Sequence, residues 1–336
     1  MSGRFSLLSR LRHMAARGHR AVVRVAPPLE ALYRVAYRRL WPLYRRLAVA
    51  ALPKGETTAA VEIATIDGAT ERLHLLVDAS QTLGRDLLVH GVFEPEETRL
   101  VLELLRPGDV FVDVGANIGY FSVLAARRVG TTGAVLAIEP EPRNLALLRR
   151  NLERHALGET VTVAPVAVGE HPGTARFEVP SERTDARLAG DQTASSEIST
   201  TKTTFDVEVT TLDDLVGTLT ERTGAPPALV KIDIQGGEAR CLEGFARTLA
   251  DPTPPPLLLE LWPFGLERDG RSTARELFDR LHEHYGLHAY RLASADPAER
   301  GRVEVTSFDE IEPLCRGAWY ASVNLLFSRR ALPTDS

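Results

Sequence analysis

Several acids in this chain stand where an isolated charge is costly. Asp113 follows the apolar run Val110-Phe111-Val112, Asp233 closes the stretch Ala228-Leu229-Val230-Lys231-Ile232, and Glu260 interrupts Leu257-Leu258-Leu259 and Leu261. A carboxylate among leucines must find a partner or hold a raised pKa, and the second property suits a proton acceptor. Asp233 is the first candidate for a general base or a group that positions an acceptor, Glu260 the second, and Glu238, just after Gly236-Gly237, the third. Each has a plainer reading: a cap or amine partner for Asp233, a structural ion pair for Glu260, a helix-start acid favoured by the dipole for Glu238.

Asp113 leads into Val114-Gly115-Ala116-Asn117-Ile118-Gly119. A turn of this kind between strand and helix is a binding device. A triphosphate loop needs GxxxxGK followed by Ser or Thr, and the chain has no such tripeptide. A dinucleotide turn needs GxGxxG, and Asn117 stands where the middle glycine would let a pyrophosphate approach. The carboxylate of Asp113 also opposes a phosphate and prefers a ligand with a cation or donors. S-adenosylmethionine has a sulfonium, an ammonium and ribose hydroxyls, and no phosphate. Glu139 follows 26 residues after Asp113, at the end of the next expected strand. In nucleotide-binding α/β folds an acid at that place accepts both ribose hydroxyls; the alternative for Glu139 is again a dipole-favoured acid.

These residues need a scaffold that brings them to one edge. From Val110 the pattern alternates: strands at 110–114, 134–140, 161–168, 228–234 and 256–262, with helical spacing at Ile118, Phe121, Leu124, Ala125 and Val129 and again at Leu145, Leu148 and Leu152. Further strands are expected at 287–293 and 318–328, with a helix near 272–285 between them and the rest. Such alternation implies a parallel sheet covered on both faces, with ligands at the carboxyl ends of its strands. Residues 94–109 read as a helix stopped by Pro107-Gly108, and 58–90 as a small β element. Between the third and fourth strands, 181–204 is polar and rich in Ser and Thr, and is expected to be a mobile loop that closes over substrate or is simply disordered.

The 336 residues include 40 Lys and Arg against 45 Asp and Glu, a net charge of −5. The spread is uneven: residues 1–54 carry +11 and the remainder −16. The acidic body would repel a phosphate backbone, so no nucleic-acid substrate is expected. The basic leader is expected to be helical, broken at Pro27-Pro28; its second piece sets Leu32, Val35, Leu40, Leu43 and Leu47 apart from five arginines, a pattern suited to packing on the domain or to peripheral contact with anionic lipid or a partner. No apolar stretch is long enough to span a bilayer, and the two cysteines, Cys241 and Cys315, lack metal-ligand spacing. A cytoplasmic protein, peripheral to a membrane at most, is the expectation.

The phrases VFVDVGANIGYFS, AIEPEPRNLALLRRNL, VAPVAVG, TTLDDL, LVKIDIQGGEARCLEG and LLLEL, in this order, resemble the FkbM family of S-adenosylmethionine-dependent methyltransferases over roughly residues 90–262. The resemblance implies an α/β class I methyltransferase fold, Rossmann-like, with a seven-stranded mostly parallel sheet whose last strand is antiparallel. It implies S-adenosylmethionine as cofactor and O-methylation of a hydroxyl on a small molecule or glycan. By position it puts Asp113, Gly115 and Asn117, in the turn closed by Gly119, around the methionine part, Glu139 on the ribose, Ala167 near the adenine, and Glu94 at the closure of the cofactor pocket. One departure is Gln235, where the family usually has Glu; if that Glu is a base or metal ligand, one charge is missing here. A divalent metal is left unassigned. The rival readings are an N- or nucleic-acid methyltransferase, a cofactor-binding scaffold without turnover, and an oxidoreductase. The expected layout is a basic extension over 1–54, a β element over 55–93 and the methyltransferase domain over 94–330.

Overall fold

The computed structural model describes residues 52, 55–64, 70–180, 187–188, 202–292, 301–316 and 321–333. The basic leader lies outside these apart from Leu52, and so does most of the 181–204 segment. The chain divides into two compact units that meet in sequence between Phe93 and Glu94.

In the first unit, β1 (Glu56–Ala64) and β2 (Thr70–Asp78) form an antiparallel pair, Glu56 opposite Asp78 and Ala64 opposite Thr70. Alternation sorts the faces: Ala59, Val61, Ile63, Leu73, Leu75 and Val77 are buried, while Arg72 reaches across to Glu62 at 2.6 Å on the exposed face. Helix α1 (Thr82–His90), which the strand-like reading of 58–90 missed, ends at Gly91 in the left-handed region.

The second unit opens with α2 (Pro95–Leu104), entered through Glu94 at φ 43°. The alternating pattern follows: β3 (Val110–Val114), α3 (Tyr120–Val129), β4 (Ala134–Ile138), α4 (Pro142–Arg154) and β5 (Val161–Ala164). Then come β6 (Ala167–Val168), β7 (Gly173–Pro180), β8 (Arg187–Leu188), β9 (Lys202–Thr210) and α5 (Leu212–Thr223). The chain returns to the main sheet with β10 (Leu229–Ile232), α6 (Glu238–Glu243), α7 (Ala246–Leu249), β11 (Leu257–Leu261), α8 (Pro263–Asp269), α9 (Ala274–Asp279), β12 (His288–Leu292), β13 (Arg302–Val305), α10 (Glu312–Cys315) and β14 (Val323–Ser328).

The main sheet has the order β13-β12-β14-β11-β10-β3-β4-β5. The strands β5, β4, β3, β10 and β11 run parallel, and β14 runs antiparallel between β11 and β12. This is the mostly parallel α/β sheet that the resemblance implies, with one correction: eight strands among the described residues instead of seven. Arg302–Val305 pairs antiparallel with β12, Leu292 opposite Arg302, and four residues with two exposed positions gave too short a pattern to read. The central strands bury on both faces, and Val112, Val114, Val230, Ile232, Leu257 and Leu259 belong to one continuous core.

Two stretches break into pairs of elements, the first where a single strand was expected. Pro165 has no N–H to continue a ladder, so 161–168 splits into β5, paired with β4, and β6, paired with β9 in a separate four-stranded sheet of order β6-β9-β7-β8. That sheet also takes in Arg187–Leu188 and Lys202–Thr204 from the segment read as a loop. The run from Glu238 to Leu249 splits into α6 and α7 at Gly244, where a Cβ would lie 2.0 Å from the carbonyl oxygen of Gly169; only glycine lets the two chains pass so closely. Among the described residues no helix is long and apolar enough to cross a membrane.

Candidate active site

The turn after β3 is closed on itself. Gly115 N–H and Ala116 N–H both donate to Ile138 O at 2.9 Å, and Gly119 N–H donates to Ala116 O at 2.8 Å. Asn117 N–H donates to Glu139 Oε2 and Ile118 N–H to Asn117 Oδ1, each at 2.8 Å. All five turn amides are therefore engaged inside the protein. A phosphate cradle needs such amides free and pointing at the ligand. Gly115, at φ 84°, lies against β10: a Cβ there would stand 2.0 Å from Asp233 O.

Glu139, at the end of β4, is buried and accepts from Asn117 N–H and Glu141 N–H at 2.8 Å and from Asn144 Nδ2 at 3.4 Å. Burial pushes its carboxyl up to about 7 against these donors. A carboxylate offers about four acceptor positions, so it keeps room for further donors. Asp113 is buried in β3, where Ser122 Oγ donates to its Oδ2 at 2.6 Å and its Oδ1 has no partner among the described residues. Burial raises its pKa as well.

A second network lies at the ends of β10 and β11. Lys231 Nζ is buried, donates to Asp233 Oδ2 at 2.9 Å and stands 4.6 Å from the centre of the Phe121 ring. Burial opposes its charge, but the carboxylates of Asp233, Glu94 and Asp113 outweigh that and raise its pKa. Gln235, at φ 56°, donates from one Nε2 to both Asp233 Oδ1 and Glu260 Oε2, each at 2.9 Å. Asp233 is thus held on both oxygens. Burial works against its ionised form, yet Lys231 and the hydrogen bonds keep it below the usual carboxylate range. Glu260 goes the other way: burial first, then the charges of Asp233 and Glu94, raise it well above the usual value, against a hydrogen bond with Ser322. Beside Glu260 in register is Asn324 on β14, whose Nδ2 donates to Glu97 on α2.

Glu94 stands at the head of α2, half-buried, with burial lifting its carboxyl to about 8 while Lys231 pulls it down and Asp233, Glu97 and Asp113 push it up. Glu238 is fully buried and accepts on Oε1 from Ile234 N–H at 3.2 Å and Gly236 N–H at 3.1 Å. Burial takes it to about 7. Its place under the loop is that of a brace.

Sequence-expected residues thus fall into two sets. Asp113, Gly115, Asn117, Gly119 and Glu139 share the turn, and Asp113 also belongs electrostatically with Glu94, Asp233 and Lys231 in the second network. Ala167 sits in β6, its strand backbone paired with Val209. Trp262 is buried against Phe264, ring centres 5.7 Å apart, and packs. Lys231, Glu97 and Asn324 escaped the sequence reading. Lys231 carried the same signal as Glu260, a charge inside an apolar strand. Among the described residues no three His, Cys, Asp or Glu side chains are arranged to hold a metal ion.

The set of groups fits S-adenosylmethionine: a cluster of carboxylates for its two positive charges, an orphaned buried oxygen on Asp113, an acceptor for ribose hydroxyls on Glu139, and no open amides for phosphate.

Residues 113–311 match the model of the methyltransferase FkbM domain. The 31-O-demethyl-FK506 methyltransferase FkbM of Streptomyces tacrolimicus is 34% identical over 164 residues, covering 42% of this chain and 60% of that protein. The hexuronic acid methyltransferase AglP of Haloferax volcanii is 31% identical over 157 residues, covering 46% of this chain and 58% of that protein. The chain spans about three fifths of the length of these relatives. Among solved structures, the O-methyltransferase TomG of Streptomyces achromogenes is 14% identical with a TM-score of 0.41, over 70% of this chain and 81% of that one.

Proposed function

The chain belongs to the FkbM methyltransferase family and uses S-adenosylmethionine, and from that premise we propose that it is an O-methyltransferase acting on a hydroxyl of a sugar, a glycan or a secondary metabolite. The observation that carries this is the pair of unlike carboxyls, Asp233 held ionised and Glu260 raised, bridged at the carboxyl ends of adjacent central strands. Two titratable groups pushed apart by their surroundings mark an anchor and a proton acceptor.

The bound cofactor supplies a methyl group already activated by its sulfonium. The chain's own residues have to align an acceptor with it and take a proton. Alignment contributes up to about 7–11 kcal/mol, and a positioned base roughly 10²–10⁴ in rate. Glu260, half-buried and so reachable from solvent, is the proton acceptor in this reading. Asp233, first choice on sequence, is tied to Lys231 and Gln235 and serves as the fixed anion that orients the pair. Glu139 accepts from the ribose hydroxyls; Glu94, Asp113 and Asn117 line the positive end of the cofactor. Two of the relatives by name methylate 31-O-demethyl-FK506 and a hexuronic acid, which supports a small-molecule or sugar acceptor.

The test is transfer of a labelled methyl group from S-adenosylmethionine to 31-O-demethyl-FK506 and to hexuronic-acid acceptors. Label that survives mild alkali, as an ether does, and falls sharply in Glu260→Gln supports the reading. Alkali-labile label shows a carboxyl acceptor and sinks it.

A further inference from the structure

Gln235 does something that no acid in the cluster can do. Its side chain stands between two carboxyls, with Nε2 at 2.9 Å from Asp233 Oδ1 and 2.9 Å from Glu260 Oε2. The amide orientation is forced, because reversing it would set a carbonyl oxygen against two carboxylate oxygens. An amide has two N–H donors and no proton to lose, so it gives one hydrogen to each neighbour at every pH. Carboxyls this close with no donor between them cannot both ionise easily, and one retains a proton.

The rest of the loop makes this placement permanent. Gln235 sits in the left-handed region at φ 56°, a strained conformation for a non-glycine residue that is kept only when its surroundings impose it. The imposition is visible: Glu238 Oε1 accepts from the N–H groups on either side, Ile234 and Gly236, and Gly236 is pressed on Gly265, where a Cβ would meet backbone at 2.6 Å. Asp233 cannot turn away either, since Lys231 holds its other oxygen at 2.9 Å. Glu260 faces Asp233, Gln235 and Glu238 from the β10–α6 loop, Glu94 from the head of α2 and Ser322 from the entry to β14, with Lys231 beyond Asp233. In that company every charged group nearest Glu260 is negative, and the amide of Gln235 is its donor from the loop.

We propose that Gln235 is a positioning residue for methyl transfer: its amide ties Glu260 to the anchored Asp233, keeps it aimed, and favours the carboxylate form that receives the acceptor's proton. This rests on the O-methyltransferase reading for its purpose, but the bridge can be tested without any acceptor. The full chain is labelled with 13C at glutamate side-chain carboxyls and titrated by NMR, and Glu260 is identified by the signal missing in Glu260→Gln. Gln235→Met keeps length and removes both donors. The Glu260 midpoint is expected to rise by about one pH unit or more, while S-adenosylhomocysteine binding by calorimetry stays within about twofold. Gln235→Glu, which loses a donor and adds an acid, is expected to raise the midpoint at least as far, and it carries the test if the methionine variant does not fold. A Glu260 midpoint unmoved in a folded variant overturns the inference even where hydroxyl methylation is found. A raised midpoint in a protein that methylates no hydroxyl supports the bridge and defeats the activity it was meant to serve.

Discussion

The two carboxylate clusters at the carboxyl ends of the sheet are held by different parts of the chain. Around Glu139 the grip is mostly backbone: the N–H groups of Asn117 and Glu141, with Asn144 adding a longer contact. Around Asp233 and Glu260 it is side chain: Lys231, Gln235 and Ser322. A backbone grip is set by turn geometry and survives most substitutions near it. A side-chain grip lives or dies with single residues. The first cluster suits a cofactor that never changes; the second can be retuned one residue at a time, as suits chemistry matched to an acceptor.

The contrast breaks most sharply at Lys231. Lys231→Met leaves Asp233, Glu94 and Asp113 without their cation, and is expected to lower unfolding stability by about 3–5 kcal/mol at pH 8. Denaturant titrations should show a smaller loss at pH 5, where the carboxyls can take protons. An equal loss at both would mean that Lys231 matters by packing on Phe121 and not by charge. Next comes Glu260→Gln, expected to cut kcat by about 100-fold with the KM for S-adenosylmethionine little changed; a rise in KM with kcat intact would move Glu260 out of the proton-transfer role. In the wild type kcat should climb with pH through the raised Glu260 range.

The backbone-held cluster should respond in binding alone. Glu139→Ala removes a charged acceptor and is expected to weaken S-adenosylhomocysteine by about 1.5–3 kcal/mol, tenfold or more by calorimetry. The smallest effect is in pH. Glu139 titrates near 7 in the fold against 4.5 for an ordinary glutamate. The ribose hydroxyls need the anion as acceptor, so a proton competes, and affinity falls as pH drops through about 7. Wild-type binding should be about tenfold or more weaker at pH 6 than at pH 8; Glu139→Gln should lose the drop through about 7 and keep only the shallower rise towards pH 8 that Glu94, near 8, contributes. A flat wild type would remove Glu139 from the cofactor's ribose.

The same division explains what could be read from the chain. The strand, turn and helix over 110–129 were legible because apolar spacing and glycine positions are local. So were the acids at strand ends, since a charge in an apolar run announces itself. Lys231 sent that signal and was overlooked, because its meaning depends on three carboxylates from other elements. Gln235 was legible as a substitution but its bridging was not, for the partner Glu260 lies 25 residues away on another strand. The edge strand at Arg302–Val305 and the splits at Pro165 and Gly244 depend on pairing and close approach, which no window of sequence contains.

The closed turn at Gly115–Gly119 has a bearing on competition. Adenine nucleotides share the adenosine half of S-adenosylmethionine, so ribose and base contacts alone would admit them. Their phosphates, however, would have to shed water beside Asp113 and find every turn amide already bonded to Ile138, Glu139, Asn117 or Ala116. Selection between the two ligand classes then comes from donors the loop withholds, and it needs no residue devoted to exclusion.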